Sequence, residues 1–449
     1  MSKTVVMGSF DAEKYWRPEG YSKLPELKDK NATQIIACMD ELLFSLCNRG
    51  DLLLNRFKMN PVFKSYLEEI GFMFSNNRQD LYKTGNDKFD SDEACVFELL
   101  SSRIKEPYFQ EILKDVSALN TYAILPSTAG ICKQLSIENY YSEIEIIKRV
   151  NSKIYSHKLH DRIGLKKYGT MINRGVDITQ LAAEYDNGRG IILKDAYGVS
   201  GKGNALISSP GILKRITDYI ISQEKRGLQT CFIMEPFLEK RSDFSCQLKI
   251  DPFGNMTILS IQNIINNNFS YVGSMTADQD FVDYLDQHGY FTVMEKVAGE
   301  LFKDGYSGDV CIDSMILADG KIVPVVEINA RKSMGLINHY LDQYLSKFSL
   351  KGYFFFFVVG FKGTVQIDDI LTKLDNLNLL FKPNCKSGII PLSCNSLFIN
   401  RELDSDSDQN KTYKGRLYIT AAANCEETSL GLVEKTKRIL NSLSFTVYN

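Results

Sequence analysis

Asp313, Glu327, Asn329 and Arg331 are the side chains whose types and spacing in this sequence best suit chemistry. They lie in the stretch Gly308 to Arg331, which reads as two apolar strands joined by a tight turn. Alternate residues of a strand share a face. Two carboxylates, an amide oxygen and a guanidinium on one face of an apolar hairpin are costly to bury unless they hold a cation and an anion between them. Surface ion pairs, which contribute little, are the competing reading.

The turn decides whether the carboxylates meet. A two-residue Asp319-Gly320 loop points Asp313 away from Glu327; a three-residue Ala318-Asp319-Gly320 loop with a left-handed Gly320 sets Asp313 opposite Val325 and diagonal to Glu327. The three-residue loop is the expectation. Asp313 and Glu327 can then share Mg2+, a hard ion that takes oxygen ligands and keeps phosphate in its shell.

A second group suits phosphate. Gly198, Ser200, Gly201, Lys202 and Gly203 follow directly on the apolar strand Gly190 to Lys194. Glycines let backbone N–H groups close on phosphate oxygens, and lysine adds charge. The run matches neither the P-loop nor the Rossmann fingerprint, and an ordinary hairpin loop is the alternative. Lys194 needs an anionic partner if it points inward; Lys153, ahead of a helix-like segment, reads by itself as a surface lysine. Glu235 ends the strand that begins at Cys231, and Phe237 and Leu238 after it supply one apolar side of a flat pocket. Asp243 either accepts bonds from ribose hydroxyls or caps a turn.

These residues must be positioned by alternating strands and helices. A β run at Thr4 to Met7 is followed by Phe10 to Pro18, which holds the single tryptophan. Apolar residues at helical spacing over 32–47 and 62–74, with a strand near Asp51 to Leu54, indicate a small α/β domain over 1–126. Residues 127–350 open with a helix over Ile137 to Val150 and carry a mobile cover at about 190–232, ordered strand, loop, helix. An antiparallel pair, Phe244 to Ile250 with Met256 to Ile265, and one helix from Phe281 to Phe302 precede the hairpin. Residues 351–449 hold strands at Tyr353 to Gly360 and Gly415 to Ala421, a solvated acidic loop at Asp404 to Asn410, and a helix from Glu427 to Leu443.

The formal net charge of −2 and 44% hydrophobic content argue against a nucleic-acid partner and a disordered chain. The longest apolar run, Tyr353 to Val359, is too short to span a bilayer, so a soluble cytoplasmic protein without a membrane partner is expected. The 10 cysteines form no Cys-x-x-Cys pair and the 4 histidines lack zinc-site spacing; reduced, buried thiols are expected.

In order, Lys153, Lys194 with the Gly198 to Gly203 loop, Glu235 to Leu238, Asp243, Asp313 and Glu327 to Asn329 resemble the ATP-grasp superfamily. Phe10 to Pro18 with Leu24-Pro25, Asn151 to Lys153 and Glu327 to Arg331 resemble, more narrowly, the peptide ligases related to the pheganomycin enzyme. The resemblance implies a mixed α/β (α+β) fold: an ATP-grasp domain behind an N-terminal α/β pre-ATP-grasp domain, with a small C-terminal α+β domain. It implies ATP between two subdomains, with adenine near Glu235, Phe237 and Leu238 and ribose at Asp243. Lys153, Lys194 and the glycine loop would hold phosphates, and Asp313, Glu327 and Asn329 would hold Mg2+. The implied activity joins a small-molecule or peptide carboxylate to an amine, in natural-product biosynthesis, and is compatible with a homo-oligomer.

Phosphoryl transfer needs positioning and charge neutralisation rather than a protein nucleophile. Lys194 and Arg331 are therefore the catalytic candidates, Arg331 gripping an acceptor carboxylate or the transferring phosphate; a structural salt bridge is the alternative. Lys332 and a Gly273-Ser274 turn after Tyr271 are further candidates for substrate contact. Many relatives place an arginine two residues before the first metal-binding aspartate, where this chain has Cys311. Either another cation takes over, or the chain is a catalytically impaired ATP-binding scaffold.

Overall fold

The computed structural model describes residues 3–26, 28–82, 94–138, 141–186, 188–198, 203–267, 270–404 and 411–449. Among them, four short strands build the first sheet: β1 (Lys3–Met7), β2 (Leu52–Leu53), β3 (Ser75–Asn76) and β4 (Val116–Thr121), in the order β3-β2-β1-β4. All pairings are parallel, so each return must cross over through a helix. Val5, Val6 and Met7 are fully buried, as a parallel sheet covered on both faces requires.

The helical spacing at 32–47 is realised as two pieces. An α-helix, Lys30–Ala37, gives way to a 3-10 helix, Met39–Leu46, in which every residue is buried. Tertiary hydrogen bonds hold that piece: Asp40 accepts from the Arg56 N–H, and Glu41 accepts from the N–H groups of Cys394 and Asn395. Helix Pro61–Glu69 is capped by Asn60, with proline in its first position, and the chain leaves it at Gly71, whose φ is +105°. The stretch expected as one helix from Ile137 is helical only over Ile144–Val150.

The second sheet is β5 (Thr170–Ile172), β6 (Ile191–Asp195), β7 (Asn204–Ile207) and β8 (Phe232–Pro236), ordered β5-β8-β6-β7. The glycine run does not lead straight into a helix. β6 pairs antiparallel with β7, Lys194 opposite Asn204, and helix Pro210–Glu224 follows, capped by Ser209. This sheet has its own core of Leu193, Ile220, Phe232 and Met234, joined by Leu24 from the N-terminal segment.

The third sheet carries the hairpin. Its strands are β9 (Lys240–Ile250), β10 (Met256–Asn267), β11 (Ser270–Thr276), β12 (Gly308–Leu317), β13 (Ile322–Asn329), β14 (Lys351–Phe361), β15 (Gly388–Pro391), β16 (Tyr413–Ala423) and β17 (Phe445–Val447). They run β13-β12-β9-β10-β11-β14-β16-β15, with β17 also on β14. The sheet continues past residue 350, because β14 pairs antiparallel with β11. The helix expected over 281–302 breaks at Gly289, whose φ is +71°, into Gln279–Gln287 and Tyr290–Lys303.

The 10 cysteines are free thiols. Among the described residues no helix is long and apolar enough to cross a membrane. Most of the acidic run, 405–410, lies outside the described residues.

Candidate functional site

The hairpin has the three-residue loop. Leu317 N–H donates to Lys321 C=O at 2.9 Å, and Gly320 takes a φ of +84°. The register differs from expectation, however. Asp313 stands directly opposite Glu327 rather than Val325, because a bulge lies between. Met315 pairs with Val323, so Ser314 alone faces Pro324, Val325 and Val326. Proline has no N–H for the ladder and is tolerated here because β13 is an outer strand. Ser314 donates its hydroxyl to Pro324 C=O at 2.8 Å, and the two extra residues keep Glu327 on the face of Asp313.

Burial, and then the charge of Glu327, push the Asp313 carboxyl up to about 7. Asn329 Nδ2 donates to Asp313 at 3.0 Å. Cys311, opposite Asn329, is buried and packs its sulfur between Gln247 Nε2, at 3.4 Å, and Asp313, at 3.6 Å.

Lys153 is not a surface lysine. It opens helix Lys153–Ile163, whose cap is Ser152, and is only 6% exposed. Its Nζ lies 2.5 Å from Glu327 and donates to Gly198 C=O at 2.7 Å. Lys194 points inward to Glu235 at 2.6 Å. Gly198 and Gly203 pack Cα against Cα at the root of the glycine loop; a Cβ on Gly203 would fall 2.1 Å from Gly198 Cα. Ser200, Gly201 and Lys202 lie outside the described residues.

A slot runs between the second sheet and the hairpin. Ile233, Leu238, Met315, Val323 and Val325 give it apolar walls, and Lys153, Lys194 and Glu235 converge on it. It encloses about 30 Å³, or about 460 Å³ with its open mouth. Asp243 sits beside it, opposite Met315, accepting from Lys240 and from Asn266. Phe237 is outside the lining; its N–H donates to Gly190 C=O at 3.0 Å. A wider open cleft of about 530 Å³ beside Tyr21, Arg174 and Glu224 holds none of the site residues.

Arg331, expected as a substrate grip or a structural salt bridge, is held by protein partners in this structure. Its Nε and Nη2 donate to Glu13, at 2.9 and 2.5 Å, Nη1 donates to Tyr122 and to Lys332 C=O, and Nη2 also reaches Asn329 Oδ1 at 3.2 Å. Every N–H of the guanidinium is thereby used. Lys332 is paired with Asp309 at 2.7 Å. Gly273 and Ser274 belong to β11 and form no turn; a Cβ on Gly273 would lie 2.5 Å from Phe354 O.

Sequence reasoning missed Glu13, Tyr122, Arg17 and Asp195. The first two hold Arg331, and Arg17 pairs with Asp195 at the loop root. It also missed His160, whose Nε2 is 2.9 Å from Val325 C=O and must donate there, leaving a buried, unpartnered Nδ1. Burial lowers its pKa and keeps it neutral. The tract Phe10 to Pro18 was the one available signal for Glu13 and Arg17; nothing in the sequence marked His160.

Among the described residues no group of three or more His, Cys, Asp and Glu side chains is placed to hold a metal. Two repelling carboxylates and an amide oxygen nevertheless suit Mg2+, which leaves most of its octahedral shell to phosphate and water. Asn329 Oδ1 accepts from Arg331 and keeps a second lone pair.

No family model matches the chain. The [butirosin acyl-carrier protein]–L-glutamate ligase of Niallia circulans is 27% identical over 232 residues, 49% of this chain and 53% of that protein. The chain thus spans about half the length of the curated relative it matches. An ADP complex of N5-carboxyaminoimidazole ribonucleotide synthetase superposes with a TM-score of 0.52 at 11% identity, over 98% of this chain and 97% of that one. The biotin carboxylase domain of the Hydrogenobacter thermophilus 2-oxoglutarate carboxylase, with MgADP, ADP and bicarbonate, gives 0.56 at 12%, over 100% and 91%. Campylobacter jejuni biotin carboxylase gives 0.54 at 12%, over 100% and 92%. The slot between two sheets, the facing carboxylates and these whole-chain superpositions agree on one architecture: the chain has the ATP-grasp fold, mixed α/β, behind a parallel N-terminal sheet.

Proposed function

We propose that this chain is an ATP- and Mg2+-dependent carboxylate–amine ligase that forms an amide through an acyl phosphate. The observation that carries the reading is the direct pairing of Asp313 with Glu327 beside Lys153, at the end of a slot that also receives Lys194 and Glu235. Asp313, Glu327 and Asn329 hold Mg2+, which when bound neutralises charge on the phosphates. Lys153 and Lys194 bind the phosphates, leaving their resting carboxylate partners to do so. Glu235 and Leu238 receive the adenine edge and face, and Asp243 the ribose. A substrate carboxylate oxygen bonds to the γ-phosphorus as ADP leaves; the amine nitrogen then bonds to the acyl carbon as phosphate leaves and the nitrogen loses a proton.

The substrates are an amino acid or peptide and an amine in natural-product biosynthesis, and the protein works in the cytoplasm, alone or as a homo-oligomer. The relative's glutamate and acyl-carrier protein support amino-acid chemistry. A second reading, an ATP-binding scaffold, draws on neutral Cys311 at the place of the expected arginine and on an Arg331 with no spare N–H. The deciding assay supplies MgATP with pools of amino acids and short peptides and follows ADP and phosphate. Pool-dependent ADP release is the expected result. Tight MgATP binding with no ADP from any pool establishes the scaffold instead.

A further inference from the structure

The N-terminal tract has a second role that the ligase reading leaves unexplained. Glu13 and Arg17 sit one helical turn apart, with Arg17 N–H donating to Glu13 C=O at 3.2 Å. Residues four apart share a helix face. Glu13 holds Arg331, and through it Asn329 and Asp313. Arg17 reaches the other way: Nη1 donates to Asp195 at 2.7 Å and Nη2 to Ser22 C=O. Trp16 between them is fully buried and fixes the turn by donating Nε1 to Ile124 C=O at 2.8 Å.

Asp195 is the root of the glycine loop. Its N–H donates to Gly203 C=O at 2.7 Å, its C=O accepts from Gly198, and its carboxylate also accepts from Tyr197 N–H. Lys153 N–H donates to Ala196 C=O at 2.9 Å from the opposite side. The chain after Arg17 then straps the second sheet. Gln229 N–H donates to Gly20 C=O at 2.7 Å and Ser22 N–H to Gln229 C=O at 2.9 Å. Lys23 exchanges two hydrogen bonds with the Gln223 amide, and Leu24 enters that sheet's own core.

We propose that Arg17 is a positioning residue for nucleotide. Through Asp195 it sets the glycine-loop root against Lys153, and the segment Arg17–Leu24 holds the second sheet over the slot in register with the metal face. The proposal rests on the nucleotide-binding part of the reading above. Side chains 13% and 6% exposed make this a buried pair, so losing one partner acts strongly.

Hydrogen exchange on nucleotide-free protein tests the strap by itself. Amides of β6 and β8 exchange at least about tenfold faster in Arg17→Ala and Asp195→Asn, while those of β16 keep their wild-type rates. Calorimetry with MgADP tests the positioning: each variant raises Kd by about tenfold or more, the double variant is no worse than the single ones, and Arg17→Lys recovers part of the loss. Wild-type exchange in β6 and β8, or additive effects on Kd, overturns the proposal, and so does faster exchange that extends to β16. Wild-type protein that binds no MgADP sinks the nucleotide reading and the positioning role with it; the exchange arm then decides whether the strap exists. Asp195→Asn preserves side-chain size where Arg17→Ala does not, so agreement between the two separates loss of the pair from loss of bulk.

Discussion

Replacing Arg331 by lysine separates a buried keystone from a substrate grip. Arginine here serves four partners with five N–H groups: Glu13, Tyr122, Lys332 C=O and Asn329. Lysine keeps the charge but has three donors on a point-like head, so at least one of these four acceptors loses its bond. A buried acceptor left unpaired costs about 1–3 kcal/mol, so Arg331→Lys loses at least that much. Solvent offers no relief, because the Arg331 and Glu13 side chains are 12% and 8% exposed. At about 2–4 °C per kcal/mol for a domain of 150–250 residues, the melting temperature falls by about 2–12 °C. Paired thermal melts in the absence of substrate, at fixed salt and protein concentration, measure this. A free grip predicts instead an unchanged melt and a loss confined to kcat. Wild-type melting of Arg331→Lys therefore refutes the keystone, whatever happens to turnover.

Glu327→Gln removes one of the paired carboxylates and the partner of Lys153; the Mg2+ concentration for half-maximal ADP release rises by at least about tenfold in initial-rate titrations, and an unchanged Mg2+ requirement removes Glu327 from the metal site. Gly203→Ala places a Cβ 2.1 Å from Gly198 Cα, so the loop root opens; KM for ATP rises by about tenfold in steady-state assays with little change in the melt of the third sheet. Glu41 concerns pH. Burial raises its carboxyl from 4.5 to about 8 in the fold, so its contribution to stability is complete below 4.5 and is lost as pH rises through 8. Glu41→Gln keeps the acceptor for the Cys394 and Asn395 N–H groups and removes that dependence; its gain over wild type grows by about 1.4 kcal/mol per pH unit above 4.5, to about 3 kcal/mol at pH 7. Urea melts at pH 5, 6, 7 and 8 read the slope, and parallel curves for the two proteins exclude the assignment.

What was legible in the sequence was local. Alternation and a glycine at a left-handed position gave the hairpin, its loop length and the shared face of Asp313, Glu327 and Asn329, because each depends on residues a few places apart. Pro324 lies within the bulge, where a residue without an N–H is tolerated because β13 is an outer strand, a property of the whole sheet that the sequence does not display. Lys153 reads as a surface residue because its partner Glu327 is 174 residues away, and Arg331 reads as free because Glu13 is 318 residues away. Periodicity carries no record of such contacts. Gly289 was visible inside a helical pattern, yet helical glycine is tolerated often enough that only the left-handed φ marks the break.

The charge arrangement explains how a neutral thiol can occupy the place of an arginine. Each cation named on or beside the face of Asp313 and Glu327 already has a carboxylate: Lys153 with Glu327, Lys194 with Glu235, Arg331 with Glu13 and Lys332 with Asp309. Burial pushes the Cys311 thiol far up, so it adds no charge. An arginine at 311 would sit opposite Asn329, which Arg331 already contacts, and would set two guanidinium groups against one Glu13. Arg331, just past the end of β13, is the cation that contacts Asn329, and Glu13 anchors it from the N-terminal turn. Under the ligase proposal the transition-state charge falls to Lys153 and Lys194, which are parked on carboxylates until phosphate and metal displace them. The resting face is then nearly neutral despite its lysines, and binding MgATP exchanges partners instead of creating unpaired charge.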